Sequence, residues 1–191
     1  MRELPATAYG PGVQALLERA RREARPPTLP MGEPATDAFE AIQGLDEAKL
    51  AGKPARSPDD GRCVLAGLWL LFEGFEQSHT LSQAVNTPEG SYWHAILHRR
   101  EPDASNARYW FARVGAHPIF PELLQDAREL ARKHPQADLK GLLEGPAWDP
   151  DEFVLRCTRE PRGETEAALL ELQRREWELL FEHSFKRAFG A

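Results

Sequence analysis

The sequence predicts an all-α fold, an irregular bundle of about seven to nine helices around a buried central helix at residues 61–77, and three observations carry this. Apolar residues recur at helical spacing in segment after segment. No window shows sustained two-residue alternation bounded by turn signals, and the one Asp-Gly pair, Asp60-Gly61, has no apolar run before it. The sixteen prolines exceed average usage and fall mostly between the periodic segments, where they punctuate helices. With 191 residues, 41% of them hydrophobic, the expectation is one domain, 1–191. Within it, 1–34 is an N-terminal helix plus a proline-rich crossing, and 35–191 is the helical core.

Taken in order, Val13–Ala24 places Val13, Leu16, Leu17 and Ala20 on one face and reads as an amphipathic surface helix. Pro26–Pro34 cannot continue it, because its prolines remove backbone donors, and reads as an extended crossing. Thr36–Leu50 is a weaker helical stretch interrupted by Gly44. In 61–77, Val64, Leu65, Leu68, Trp69, Leu71, Phe72 and Phe75 cover more than one face, so the helix should be surrounded. A short helix is expected at Thr80–Val85. Thr87 before Pro88 is a cap followed by proline at the first helical position, which specifies Pro88–Arg100. Asp103 caps a helix reaching Val114, with Gly115 as its stop. Pro121–Lys133 follows, then a helix opened by Asp149-Pro150 that buries Phe153, Val154 and Cys157. The last and longest is Glu164–Phe189, whose Trp177, Phe181, Phe185 and Phe189 could serve the core or a homodimer seam.

Several function classes are excluded at this level. The longest apolar run, Cys63–Phe72, is half the ~20 residues a membrane-spanning helix needs, so no membrane association is expected. Met1–Gly10 has no charged-then-apolar leader, and a cytoplasmic location is the expectation. Cys63 and Cys157 form no CxxC pair and read as buried thiols. The formal net charge of −6, with no Lys/Arg-rich tract, argues against nucleic acid as a partner. Glycine-rich phosphate loops and the G-x-S-x-G frame are absent.

Four of the six histidines fall between His79 and His117, and this is where the sequence looks chemical. On the 88–100 helix, His94, His98 and Glu101 recur at i, i+4 and i+7, so two imidazoles and a carboxylate share a stripe. Asn106, Tyr109 and Arg113 share a strip on the next helix. Glu76 and His79 stand at the Glu-x-x-His spacing of carboxylate-bridged metal bundles, but only one such pair is present, where a di-iron site uses two. A mononuclear site from His79, His94, His98 and Glu76 would offer the ligand set favoured by zinc, iron or nickel. Ala95 and Ile96 stand where a zincin helix carries its glutamate, so a metalloprotease reading fails. The blander account makes His94 and His98 half-buried helix residues satisfied by carbonyls or by Glu101, and makes Trp93, Trp110 and Phe111 core. Against it stands the density of His, Arg, Asn and Trp, and a local excess of positive charge inside an acidic chain, which would favour an anionic group.

The run Ser91-Tyr92-Trp93-His94-Ala95-Ile96-Leu97-His98-Arg99-Arg100-Glu101-Pro102-Asp103, with Asn106, Tyr109-Trp110-Phe111 and Arg113-Val114-Gly115, resembles the hallmark segment of an uncharacterised family of bacterial and fungal proteins. The resemblance implies a signature segment and transfers no catalytic or binding assignment. The leading expectation is therefore a small-molecule or metal site on the 79–117 corner. In it His94 and His98 are the acid–base candidates, and Arg100, Asn106, Tyr109 and Arg113 hold an anionic ligand. The rival expectation is a non-enzymatic interaction module whose Trp93, Trp110 and arginines meet an acidic partner protein.

Overall fold

Capping chemistry sets most of the helix starts. In the computed structural model, which describes residues 9–23, 31–45 and 49–190, the elements are α1 (Pro11–Arg22), α2 (Thr36–Gln43), α3 (Pro58–Leu71), α4 (Phe75–Gln83) and α5 (Pro88–Arg100), followed by α6 (Ala104–Val114), α7 (Phe120–Lys133), α8 (Lys140–Leu143), α9 (Pro150–Thr158) and α10 (Gly163–Phe189). The Ser57, Thr87, Asp103 and Asp149 side chains accept hydrogen bonds from first-turn amides of α3, α5, α6 and α9, and proline opens α1, α3, α5 and α9. Gly115 and Gly190, at φ of 65° and 62°, stop α6 and α10. The fold is all-α, and no strand occurs among the described residues. None of its helices is long and apolar enough to cross a membrane. Residues 26–30 of the expected proline-rich crossing lie outside the described residues, as does Ala24 at the end of the expected first helix.

Two expectations are corrected. Ten helices are described where about seven to nine were expected; α8 is a single turn without a periodic pattern to announce it. The expected central helix at 61–77 is two helices. It breaks after Leu71, because Glu73 takes a positive φ of 63° and Gly74 follows it. That turn is held from outside: the Glu73 carboxylate pairs with the Arg100 guanidinium and accepts the Gly32 amide at 3.0 Å. The Arg100 guanidinium also donates to the Leu70 carbonyl at 3.1 Å.

The most enclosed helix is α5, in which every residue from Glu89 to Arg100 is buried. It packs against α3, α4, α6 and α9, while α10 runs along α3, α7 and α9. A helix this polar can be buried only if its polar groups are matched. Tyr92 Oη donates to Glu176 at 3.1 Å, Trp93 Nε1 to Ser184 at 3.2 Å, and Arg99 forms an ion pair with Glu176. The α10 aromatics are likewise internal: Trp177 stacks on Phe181 with ring centroids 4.7 Å apart, and Phe185 and Phe189 are buried. That apolar stripe therefore forms core within this chain. Cys63 and Cys157 are free and buried.

Close approach at the start of α5 needs Gly90, where a Cβ would overlap the Val85 carbonyl and side chain. Because the obstacle includes backbone, Gly90→Ala is expected to cost about 1–3 kcal/mol. The urea midpoint of the variant measures it, and an unchanged midpoint would contradict this packing.

Candidate functional site

The turn between α3 and α4 sets α4 against α5, and this brings His79 alongside His94 and His98. One ligating atom from each of the three imidazoles lies within 4.8 Å of the others. Ring centroids are 4.6 Å apart for His79–His94, 4.7 Å for His94–His98 and 5.6 Å for His79–His98. His94 and His98 are 1% and 6% exposed, whereas His79 is only partly buried and gives the group its access to solvent.

The surrounding hydrogen bonds admit two proton arrangements. When the Ser82 hydroxyl donates to the Ser78 carbonyl at 2.8 Å, His94 Nδ1–H donates to Ser82 Oγ across their 3.0 Å contact; when the hydroxyl donates to His94 Nδ1, the His94 proton sits on Nε2. His98 Nδ1–H donates to the Glu101 carboxylate at 2.8 Å. The two Nε2 atoms face each other at 3.0 Å: in the first arrangement both carry lone pairs, which suits a cation between them, and in the second His94 Nε2–H donates to His98 Nε2. Nitrogens bound tetrahedrally at ~2.0–2.1 Å would sit ~3.3–3.4 Å apart, close to the observed spacing. A histidine whose second nitrogen donates to a carboxylate or hydroxyl is the arrangement that orients imidazoles toward metals.

Burial pushes the His94 pKa down to about 3, with the neighbouring His98 and His79 adding to the effect, so His94 is neutral at pH 7. Neutral imidazole is the form that ligates.

The other expected site residues divide. The Asn106 side-chain amide lies 3.1 Å from His98 Nε2 and borders the group. Trp110 lies against His94 with centroids 4.2 Å apart, and the exposed Arg113 guanidinium covers the Trp110 ring at 5.2 Å. Tyr109 is 57% exposed at the same rim, edge-on to Trp110. Arg100 is buried and bonded to Glu73 and Leu70 instead of facing a ligand. Glu76 is exposed, lines a groove with Trp69, Gln77, Thr80 and Leu81, and is not in the converging group.

A second group able to hold a metal ion, Glu89, His117 and His183, had no signal in the spacing of its members. Ser82 was missed too: a serine three residues after His79 says nothing of its contact across the helix interface. Comparison of the chain with protein-family models, with curated proteins and with solved structures gave no match, so the site's own chemistry carries its interpretation.

Proposed function

We propose that His79, His94 and His98 form a mononuclear site for a borderline divalent metal, zinc, iron or nickel, at which the protein binds and acts on a small anionic molecule. The observation that carries this reading is the convergence of three imidazoles on one point, with His94 Nε2 and His98 Nε2 3.0 Å apart and their Nδ1 atoms in contact with Ser82 and Glu101. Three imidazoles leave an open position, the donor arrangement of catalytic zinc centres, and a metal held there would acidify a bound water or polarise a substrate oxygen. Asn106 lies at hydrogen-bond distance from the same nitrogen and suits orienting a ligand oxygen. Arg113, spread over Trp110, supplies positive charge at the exposed edge and favours an anionic group. Arg100 and Glu76 have no part in this reading. The interaction-module reading is weakened by the burial of Trp93, Arg99 and Arg100, which leaves the partly buried Trp110 with the exposed Arg108 and Arg113 as its accessible members.

The test is Co²⁺ or Zn²⁺ titration of chelator-treated protein. The His79→Ala, His98→Ala double variant is expected to bind one equivalent fewer than the parent. Glu101→Ala should keep the stoichiometry and lower the affinity about 10- to 100-fold, because it removes only the group that orients His98. Equal stoichiometry in parent and double variant, with a proton shared by the two imidazoles in ¹⁵N spectra, would overturn the metal assignment in favour of an acid–base pair.

A further inference from the structure

At the opposite end of α5 from His98, three side chains that are remote in sequence meet. Glu89 comes from the first turn of α5, His117 from the segment after α6, and His183 from α10. Their ligating atoms lie within 4.8 Å of one another. His183 Nε2 approaches Glu89 Oε1 at 3.2 Å, and the His117 and His183 rings are 4.8 Å apart and nearly edge-on. Glu89 and His117 are 5% and 4% exposed, while His183 is partly open to solvent.

Two buried atoms at this point have no hydrogen-bond partner among the described residues: Glu89 Oε2 and His117 Nε2. Leaving such atoms unmatched costs about 1–3 kcal/mol each, so their occurrence together calls for a reason. Arg187 meets only part of this need: its Nε bonds Asp60 at 2.7 Å and forms an ion pair with Glu89 Oε2 at 3.6 Å, beyond hydrogen-bond range, and it does not reach His117 Nε2. A carboxylate and two imidazoles converging on one point form the two-histidine, one-carboxylate donor set, which suits Fe²⁺ and also accepts Co²⁺ or Zn²⁺.

We infer that Glu89, His117 and His183 form a second, separate divalent-metal site. Five residues of helix separate Glu89 from His94, the nearest member of the other group on α5, about 7.5 Å along the axis and on a different face, so the two groups converge on separate points. Burial would raise the Glu89 pKa, but the His183 contact, backbone amide bonding and the Arg187 charge bring it down to about 2. Burial, with the charge of His183, takes His117 down to about 4, so its imidazole is neutral at pH 7. Ligation through His117 Nε2 puts the ring proton on Nδ1, where the Ile119 amide now donates at 3.4 Å. Loading therefore breaks that contact and gives the site its own reporter.

The experiment is titration of chelator-treated protein with Co²⁺, followed by stoichiometry and by the Ile119 amide resonance. The parent is expected to take two equivalents, His183→Ala one, and His79→Ala, His98→Ala one. His183 is partly exposed, so its variant should fold, and circular dichroism checks that it does. The Ile119 amide should shift on loading in the parent and in the His79/His98 variant but not in His183→Ala. If His183→Ala binds as many equivalents as the parent, or the Ile119 amide is unmoved in the parent, the inference is overturned. Failure of the His79–His94–His98 site alone gives a different pattern: His183→Ala binds nothing, while the His79/His98 variant matches the parent.

Discussion

Replacing Glu176 with alanine is expected to cost about 3–5 kcal/mol of folding stability. Arg99 is 1% exposed and Glu176 fully buried, and the two form an ion pair that Gln173 extends by accepting from Arg99 Nε at 3.3 Å. The Arg99 guanidinium also lies over the Phe153 ring at 4.3 Å, which leaves no path to water. Burial alone would push the Arg99 pKa down, but the Glu176 charge outweighs it and the net shift is upward, so the pair is held charged. Truncating Glu176 strands a guanidinium that cannot give up its proton, and takes from the Tyr92 hydroxyl its acceptor. The apolar double replacement Arg99→Met, Glu176→Leu should recover most of the loss, since pairs of this kind are often replaceable by well-packed apolar residues. Urea denaturation of the three proteins measures this. A Glu176→Ala loss below about 1 kcal/mol would mean that water reaches the pair.

What the sequence makes legible is local. The caps at Thr87, Asp103 and Asp149, the prolines beside them and the stops at Gly115 and Gly190 read directly into helix boundaries, because each acts within one turn. Burial of α5 is not local. Its histidines and arginines look like a solvated face until partners 27 to 77 residues away are known, as with Glu73 for Arg100 and Glu176 for Arg99. The break of 61–77 has the same origin, since Glu73 holds its positive φ while engaged by a residue of another helix. Among the site residues, the i, i+4 spacing suffices to align His94 with His98. His79 joins them only because that break redirects the chain. The Glu89–His117–His183 group is assembled entirely by tertiary packing, from residues whose local patterns suggest a helix-start charge, a loop and a helix flank.

The metal-free protein is expected to lose stability steadily as the pH falls from about 6.5, and the two buried histidines set the slope. His94 falls from an ordinary 6.5 to about 3 and His117 from 6.5 to about 4, both mainly through burial. In the window between, the unfolded chain binds protons that the folded chain refuses, so folding stability is fully present above 6.5 and declines with falling pH. Each group contributes at most about 1.4 kcal/mol per pH unit, and water entry at the partly open sites makes the measured slope smaller. Glu89 acts in the same direction lower down: its folded pKa of about 2 lies below the ordinary 4.5, so its contribution is lost as the pH falls from 4.5 toward 2. Urea midpoints should therefore hold from pH 7.5 to about 6.5 and decline from there to pH 4.5. His94→Gln and His117→Gln should each flatten the decline by about one proton's share, because glutamine has nothing to titrate. A bound metal competes with those same protons, so loading should raise the midpoint at pH 7.5 and steepen its fall toward the pH at which the metal is displaced. A decline of unchanged slope in both variants would assign the acid sensitivity to carboxylates elsewhere, and a flat profile would mean that neither imidazole is held neutral by the fold.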